Sequence, residues 1–215
     1  MTVGAPSNAT AQRLVELTLA LIERRGGLRD VNLREVARHA RCSHANVYNY
    51  FDSFADLLWA TLDLAIARLI AHTENAMRAR PRPREVFRVF IESQIDFALE
   101  HPGIYRFIWL DTLSGVPPAY VAERIRRTPI LFATTLRESL VSKASVAAAT
   151  RATRMVHGYL HGEICKLICA RAVNPLAGTS PSLSRDSRVI EQARRTMSED
   201  VRLLATMMLS ARAGR

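Results

Sequence analysis

The chain has 215 residues, is 48% hydrophobic and 23% charged, and carries a formal net charge of +10. That is enough chain for a sizeable core, and the apolar fraction argues against general disorder. No apolar run approaches the ~18 residues of a membrane span, and nothing around Arg13 reads as a secretory signal. Cys42, Cys165 and Cys169 are an odd set without CxxC spacing, which argues against a disulfide scaffold and makes a reducing cytoplasm the expected home.

The charge is almost all arginine: only Lys143 and Lys166 are lysine. It permits a polyanionic partner but does not locate one. Residues 1–58 hold seven Arg against six acids, whereas 59–215 hold 23 basic residues against 14 acids. Within the first part only 24–50 is locally basic.

Residues 1–7 read as a loose tail. From Asn8 to Arg25 the spacing of Leu14, Leu17, Leu21 and Ile22 predicts a helix, started by Asn8 or Thr10 and ended by Gly26-Gly27. Asn32-Leu33-Arg34-Glu35 has capping-box form and predicts a short helix over 33–39. Ser43 then caps a third helix of about two turns, His44 to Phe51. A long fourth helix follows Asp52 or Ser53 and reaches about Arg80, with a stripe from Phe54 through Leu57, Leu58 and Leu62 to Leu69.

Further helices are expected over 84–100, in an aromatic segment after Pro102-Gly103, over 119–127 and 129–142 on either side of Pro129, over 145–172, and over 185–211. Residues 114–118 and 174–184 read as loops. No period-2 alternation suggests a strand.

The pair of short helices at 33–39 and 44–50 is the informative piece. About four residues join them, which is helix-turn-helix spacing. In such a unit the second helix enters the major groove while the first crosses the phosphate backbone. His44, Asn46 and Asn49, beside small Ala45, are groups suited to base edges, and asparagine can pair with adenine through two bonds. Ser43, Tyr48, Tyr50, Arg34 and Arg41 are suited to the backbone, while Val47 and Phe51 anchor the core. Thr10 or Gln12 can meet a phosphate at the start of the first helix.

Through Leu33-Arg34-Glu35-Val36-Ala37, Ser43, Tyr48-Asn49-Tyr50-Phe51-Asp52-Ser53 and Asp56-Leu57-Leu58, the sequence resembles the TetR family of bacterial transcriptional regulators. The resemblance spans roughly residues 10–60, and the segments Ile95 to Arg106 and Val156-His157-Gly158 resemble one of the family's ligand-domain subtypes. It implies an all-α protein of about nine helices: a helix-turn-helix DNA-binding domain over 8–53, then a helical ligand-binding and dimerisation domain over 54–215. It also implies a homodimer, joined by the two C-terminal helices, that binds a palindromic double-stranded DNA operator. A small, mostly apolar effector releases the operator, and the long fourth helix is the lever. Arg41 and Cys42 stand where the family favours Gly and a small aliphatic residue, Ala45 where it often has Gly, and Phe54 where it usually has Lys.

For the effector the candidates are the mid-chain aromatics Phe87, Phe90, Phe97, Tyr105, Trp109 and Phe132. Gln94, His157 and Tyr159, with Trp109, are the expected polar handles. Val156, Leu160, Ile164 and Ile168, with Met197, Val201, Leu204, Met207 and Met208, are the expected dimer seam.

His157, His161, Cys165 and Cys169 recur every four residues, so a metal-binding or catalytic face is conceivable. The interleaved Gly158 and Gly162 favour helix packing instead. No metal or cofactor is expected. Nor is an enzyme: there is no nucleophile–base–orienter set, no Gly-rich phosphate loop and no HExxH.

Overall fold

The computed structural model describes residues 8–78, 83–139, 145–173 and 187–210. The expected tail over 1–7, the loop over 174–184, the outermost turns at 79–80, 140–142 and 211, and the side chain of Cys169 lie outside that description. Among the described residues there are nine α-helices and no strand.

Helix α1 (Ala9–Arg25) begins at Asn8, whose side-chain oxygen accepts the Thr10 N–H at 2.8 Å, and ends where Gly26 turns left-handed with φ 73°. Helix α2 (Leu33–Ala40) begins at Asn32, which accepts the Glu35 N–H at 3.0 Å. The capping box is completed differently from the sequence pattern, because the Glu35 carboxylate accepts from Arg25 at 2.7 Å.

Helix α3 is shorter than expected: only His44–Val47 is α-helical, and 48–50 follow as tight turns in which Tyr48 donates to Ala45 and Tyr50 to Val47. Asn, Tyr and His are weak helix formers, so little holds a second full turn. Ser53 then starts helix α4 (Phe54–Arg78), accepting the Asp56 N–H at 3.1 Å while its hydroxyl donates to the Asp56 carboxylate at 2.7 Å.

Helices α5 (Pro83–Glu100), α6 (Pro102–Trp109), α7 (Ala119–Ser139), α8 (Val146–Val173) and α9 (Ser187–Ser210) complete the chain. The expected break at Pro129 does not occur, since α7 runs through it as one helix. A proline costs about 3 kcal/mol inside a helix. Val121 on one side of it, and Phe132 and Leu136 on the other, are each buried, and one such side chain is worth about 1.5–3 kcal/mol.

The chain forms two compact units, one of Met1–Ala71 with Glu100–Arg127, the other of His72–Leu99 with Thr128–Arg215. In the first, α1 packs on both α2 and α6. Its core holds Leu14, Leu19, Ile22, Val36, Val47, Leu57 and Phe107. Helix α6 approaches so closely that a Cβ on Gly103 would lie 2.7 Å from the Glu23 backbone. Two carboxylates fasten the contact: Glu23 accepts the Ile104 N–H at 2.8 Å, and Asp111 accepts the Leu28 N–H at 2.6 Å.

In the second unit α8 packs along α9, and Ile91, Ile95, Leu136, Ile164 and Val201 are buried. Much of the expected dimer seam lies inside this core: Val156, Leu160, Ile164, Met197 and Val201 are buried within the single chain. Their helical period serves the packing of α8 on its own neighbours. Among the described large apolar side chains of these two helices, Met155, Leu203 and Met207 are exposed, as is Val146 at the start of α8.

Candidate nucleic-acid interface

The turn between α2 and α3 is three residues long, Arg41 to Ser43. Arg41 closes α2 in the left-handed region, with φ 56° and ψ 40°, and the Cys42 N–H returns to Ala37 at 3.0 Å. That closure turns the chain sharply enough for Ser43 to start α3, its hydroxyl oxygen accepting the Asn46 N–H at 3.1 Å. Val36 and Val47 are fully buried and Phe51 lies beneath them in the core, so the opposite side of α3 must face outward.

That outward side carries the residues the spacing predicts. His44, Ala45, Tyr48 and Asn49 are exposed, and Asn46 and Tyr50 are half-buried. The His44 ring meets the edge of Tyr48 with centroids 5.5 Å apart, and Asn49 donates from Nδ2 to the Asn46 Oδ1 at 3.0 Å. Arg34 on α2, Arg41 and Ser43 are exposed on the same head. Gln12 and Thr10 are exposed on the first turn of α1, where backbone N–H groups favour an anion.

Two supports escape a reading by motif. Glu35 sits almost buried at the α1–α2 junction, and its bond from the Arg25 guanidinium holds its carboxyl below the usual range and raises Arg25 in turn. The Glu23 and Asp111 bonds join residues 81 and 83 positions apart, a distance at which no local spacing gives a signal.

The effector candidates divide between the units. Tyr105 and Trp109 lie in the first, ring centroids 6.4 Å apart, and the other seven belong to the second. There Phe87, Phe90, Phe97 and Phe132 are buried, and Phe90 meets the edge of Phe132 at 5.1 Å. Phe97 meets the edge of His72 at 5.6 Å, and Gln94 donates from Nε2 to the Thr73 hydroxyl at 2.6 Å.

His157 stacks on His161 with planes 5° apart, and burial pushes both imidazoles below their ordinary pKa. Cys165 Sγ lies 3.6 Å from the His161 Nε2. Among the described residues no three His, Cys, Asp or Glu side chains are grouped to hold a metal ion.

Tyr159, two residues from His157, is on another side of α8. Its hydroxyl donates to Asp200 at 2.5 Å, and burial together with that carboxylate raises it to about 12. It borders an open groove of about 730 Å³ along α8 and α9, with Lys166, Gln192 and Met197 among its walls.

No described helix is long and apolar enough to cross a membrane. No family-level sequence profile matches the chain. The curated HTH-type transcriptional regulator BetI from Rhizobium meliloti (strain 1021) is 32% identical over 149 residues, which cover 67% of this chain and 70% of that protein.

The TetR-family regulator PfmR from Thermus thermophilus superposes with a TM-score of 0.54 at 19% identity, covering 92% of this chain and 97% of its own. AibR, solved in complex with isovaleryl coenzyme A and operator DNA, gives 0.60 at 15% identity over 89% and 97%. With the BetI match setting the sequence relationship and these structures agreeing on the fold, this chain belongs to the TetR family of transcriptional regulators.

Proposed function

We propose that the chain is a ligand-responsive repressor acting in the cytoplasm. It binds a palindromic operator as a homodimer through α8 and α9, and releases it when a small, mostly apolar effector binds. The observation that carries the reading is the outward face of α3 and the turns that follow it, where His44, Ala45, Tyr48 and Asn49 are exposed while Val47 beneath them is fully buried. Residues 8–53 are the reading head and 54–215 the regulatory part.

On the DNA, Asn46, Asn49, His44 and Ala45 face base edges in the major groove. Tyr48, Tyr50, Ser43, Arg34 and Arg41 hold phosphates and fix the register. Within the second unit, Phe87, Phe90, Gln94, Phe97, Phe132 and His157 are the groups proposed to meet the effector. An apolar lining and uncharged polar handles suit a ligand with a large hydrocarbon or aromatic part.

Release is a population shift. A twofold pair of heads matches successive major grooves only at a separation of about 34–36 Å. An effector that binds the mismatched arrangement more tightly lowers operator affinity by that differential affinity.

The test is selection of bound DNA from a random pool, with the purified chain's mass in solution measured alongside. An enriched inverted repeat bound by a dimer is expected. A monomer that enriches no half-site would refute the proposal.

A further inference from the structure

The two asparagines of the reading surface are joined to each other, with Asn49 Nδ2 donating to Asn46 Oδ1 at 3.0 Å. A primary amide has one carbonyl oxygen and two N–H donors. The bond therefore engages the Asn46 oxygen and one Asn49 hydrogen. Asn49 keeps its own oxygen and its second N–H, the acceptor and donor that adenine N6 and N7 require together. Asn46 has only N–H donors left to turn outward without sharing its engaged oxygen. The backbone of Asn46 is itself tied down, since its N–H donates to Ser43 Oγ at 3.1 Å. Asn46 is half-buried and Asn49 exposed, so the inner amide is the fixed member and the outer one is held by it.

We propose that Asn49 is the adenine-reading residue of each half-site, and that Asn46, although it faces the base edges, acts there by positioning Asn49 through its carbonyl oxygen rather than by reading a second base pair. The proposal rests on α3 being the operator-reading element and deepens that assignment. Asn49 is an exposed side chain with two free torsions. Fixing its amide before DNA arrives removes ordering entropy from the binding step, which raises affinity and sharpens discrimination.

The experiment selects half-sites from a random DNA pool with the full chain as wild type, Asn46→Ala, Asn49→Ala, the double variant and Asn46→Asp. Each is first checked by thermal unfolding. The wild type is expected to enrich an A·T pair whose replacement weakens binding about tenfold or more. Asn49→Ala loses the preference at that pair. Asn46→Ala weakens it at the same pair, and the double variant matches Asn49→Ala, because members of one bonded pair are not additive. Asn46→Asp keeps an oxygen for the Asn49 N–H, so it retains the A·T preference while overall affinity falls through repulsion from phosphates.

Losses at two different base pairs, or independent additive losses, would overturn the proposal. So would a wild-type half-site without such an A·T pair, or loss of the preference in Asn46→Asp. A wild type that enriches no half-site at all would instead sink the regulator reading on which the proposal stands.

Discussion

Arg41 carries two opposed demands. It closes α2 with φ 56°, a conformation that costs an ordinary L-residue about 1 kcal/mol and costs glycine nothing. It is also an exposed guanidinium beside α3, the helix proposed to read the operator. Arg41→Gly is expected to stabilise the fold by roughly 0.5–1 kcal/mol and to weaken operator binding, so melting temperature and affinity move in opposite directions. Thermal unfolding and an operator titration on the same sample check this, and a variant that gains affinity along with stability would contradict it.

Glu35 is the second case at this scale. Arg25 lowers its pKa in the folded state, so the pair's contribution is fully present above the ordinary glutamate pKa of about 4.3. It vanishes as pH falls through the lowered folded value. Wild type should therefore melt above Glu35→Gln at neutral pH, with the gap closing on acidification. A gap that stays constant from neutral to strongly acid pH would show that the ion pair is not its source.

At the scale of elements, local chemistry was legible in the sequence and long-range docking was not. Asn8, Asn32, Ser43 and Ser53 are all side-chain caps in the structure, because capping is decided by groups within three residues of one another. The same locality placed Val47 inward and His44, Tyr48 and Asn49 outward. Pro129 does not break α7, because propensity is a weak preference that burial of Val121, Phe132 and Leu136 overrides. The apolar rows of α8 and α9 were visible, but periodicity tells which side is buried and not against what. So Val156 and Val201, which the period alone would equally place on a seam with a partner chain, lie in this chain's own core.

The seat of α6 on α1 left no trace in the sequence beyond a Pro-Gly pair. It depends on Gly103, where an added Cβ would fall 2.7–2.8 Å from the backbone of Glu23 and Ile22. Backbone atoms cannot rotate away, so Gly103→Ala is expected to cost about 1–3 kcal/mol and to loosen the α1–α6 seat. Amide exchange at Leu28 and Ile104, which bond to Asp111 and Glu23, reads that loosening residue by residue. Unchanged protection in Gly103→Ala would remove the case for a tight seat.

For the whole molecule the question is what the charge of +10 does, given that residues 1–58 hold only a net +1. Long-range attraction to DNA comes from the entire chain, but counterion release counts only phosphates that are neutralised at the interface. Each one adds about 0.9 to the slope of log affinity against log salt. Arg34 and Arg41 are the guanidiniums assigned to that task, and in a twofold dimer each acts twice. Arg41→Gln should therefore lower the slope by about two, whereas a monomeric head would lose only about one. The remaining arginines make a different prediction: replacing Arg126, on α7 and paired with Glu123, should leave the slope unchanged while slowing association slightly. Fluorescence titrations of a labelled operator across a salt series measure both. A slope change near one for Arg41→Gln would mean that a single head carries the operator, and with it the dimeric symmetry would have to be abandoned. A change near two, together with an unmoved slope for Arg126→Gln, would place the electrostatic footprint on two small heads rather than on the arginine-rich surface that supplies most of the net charge.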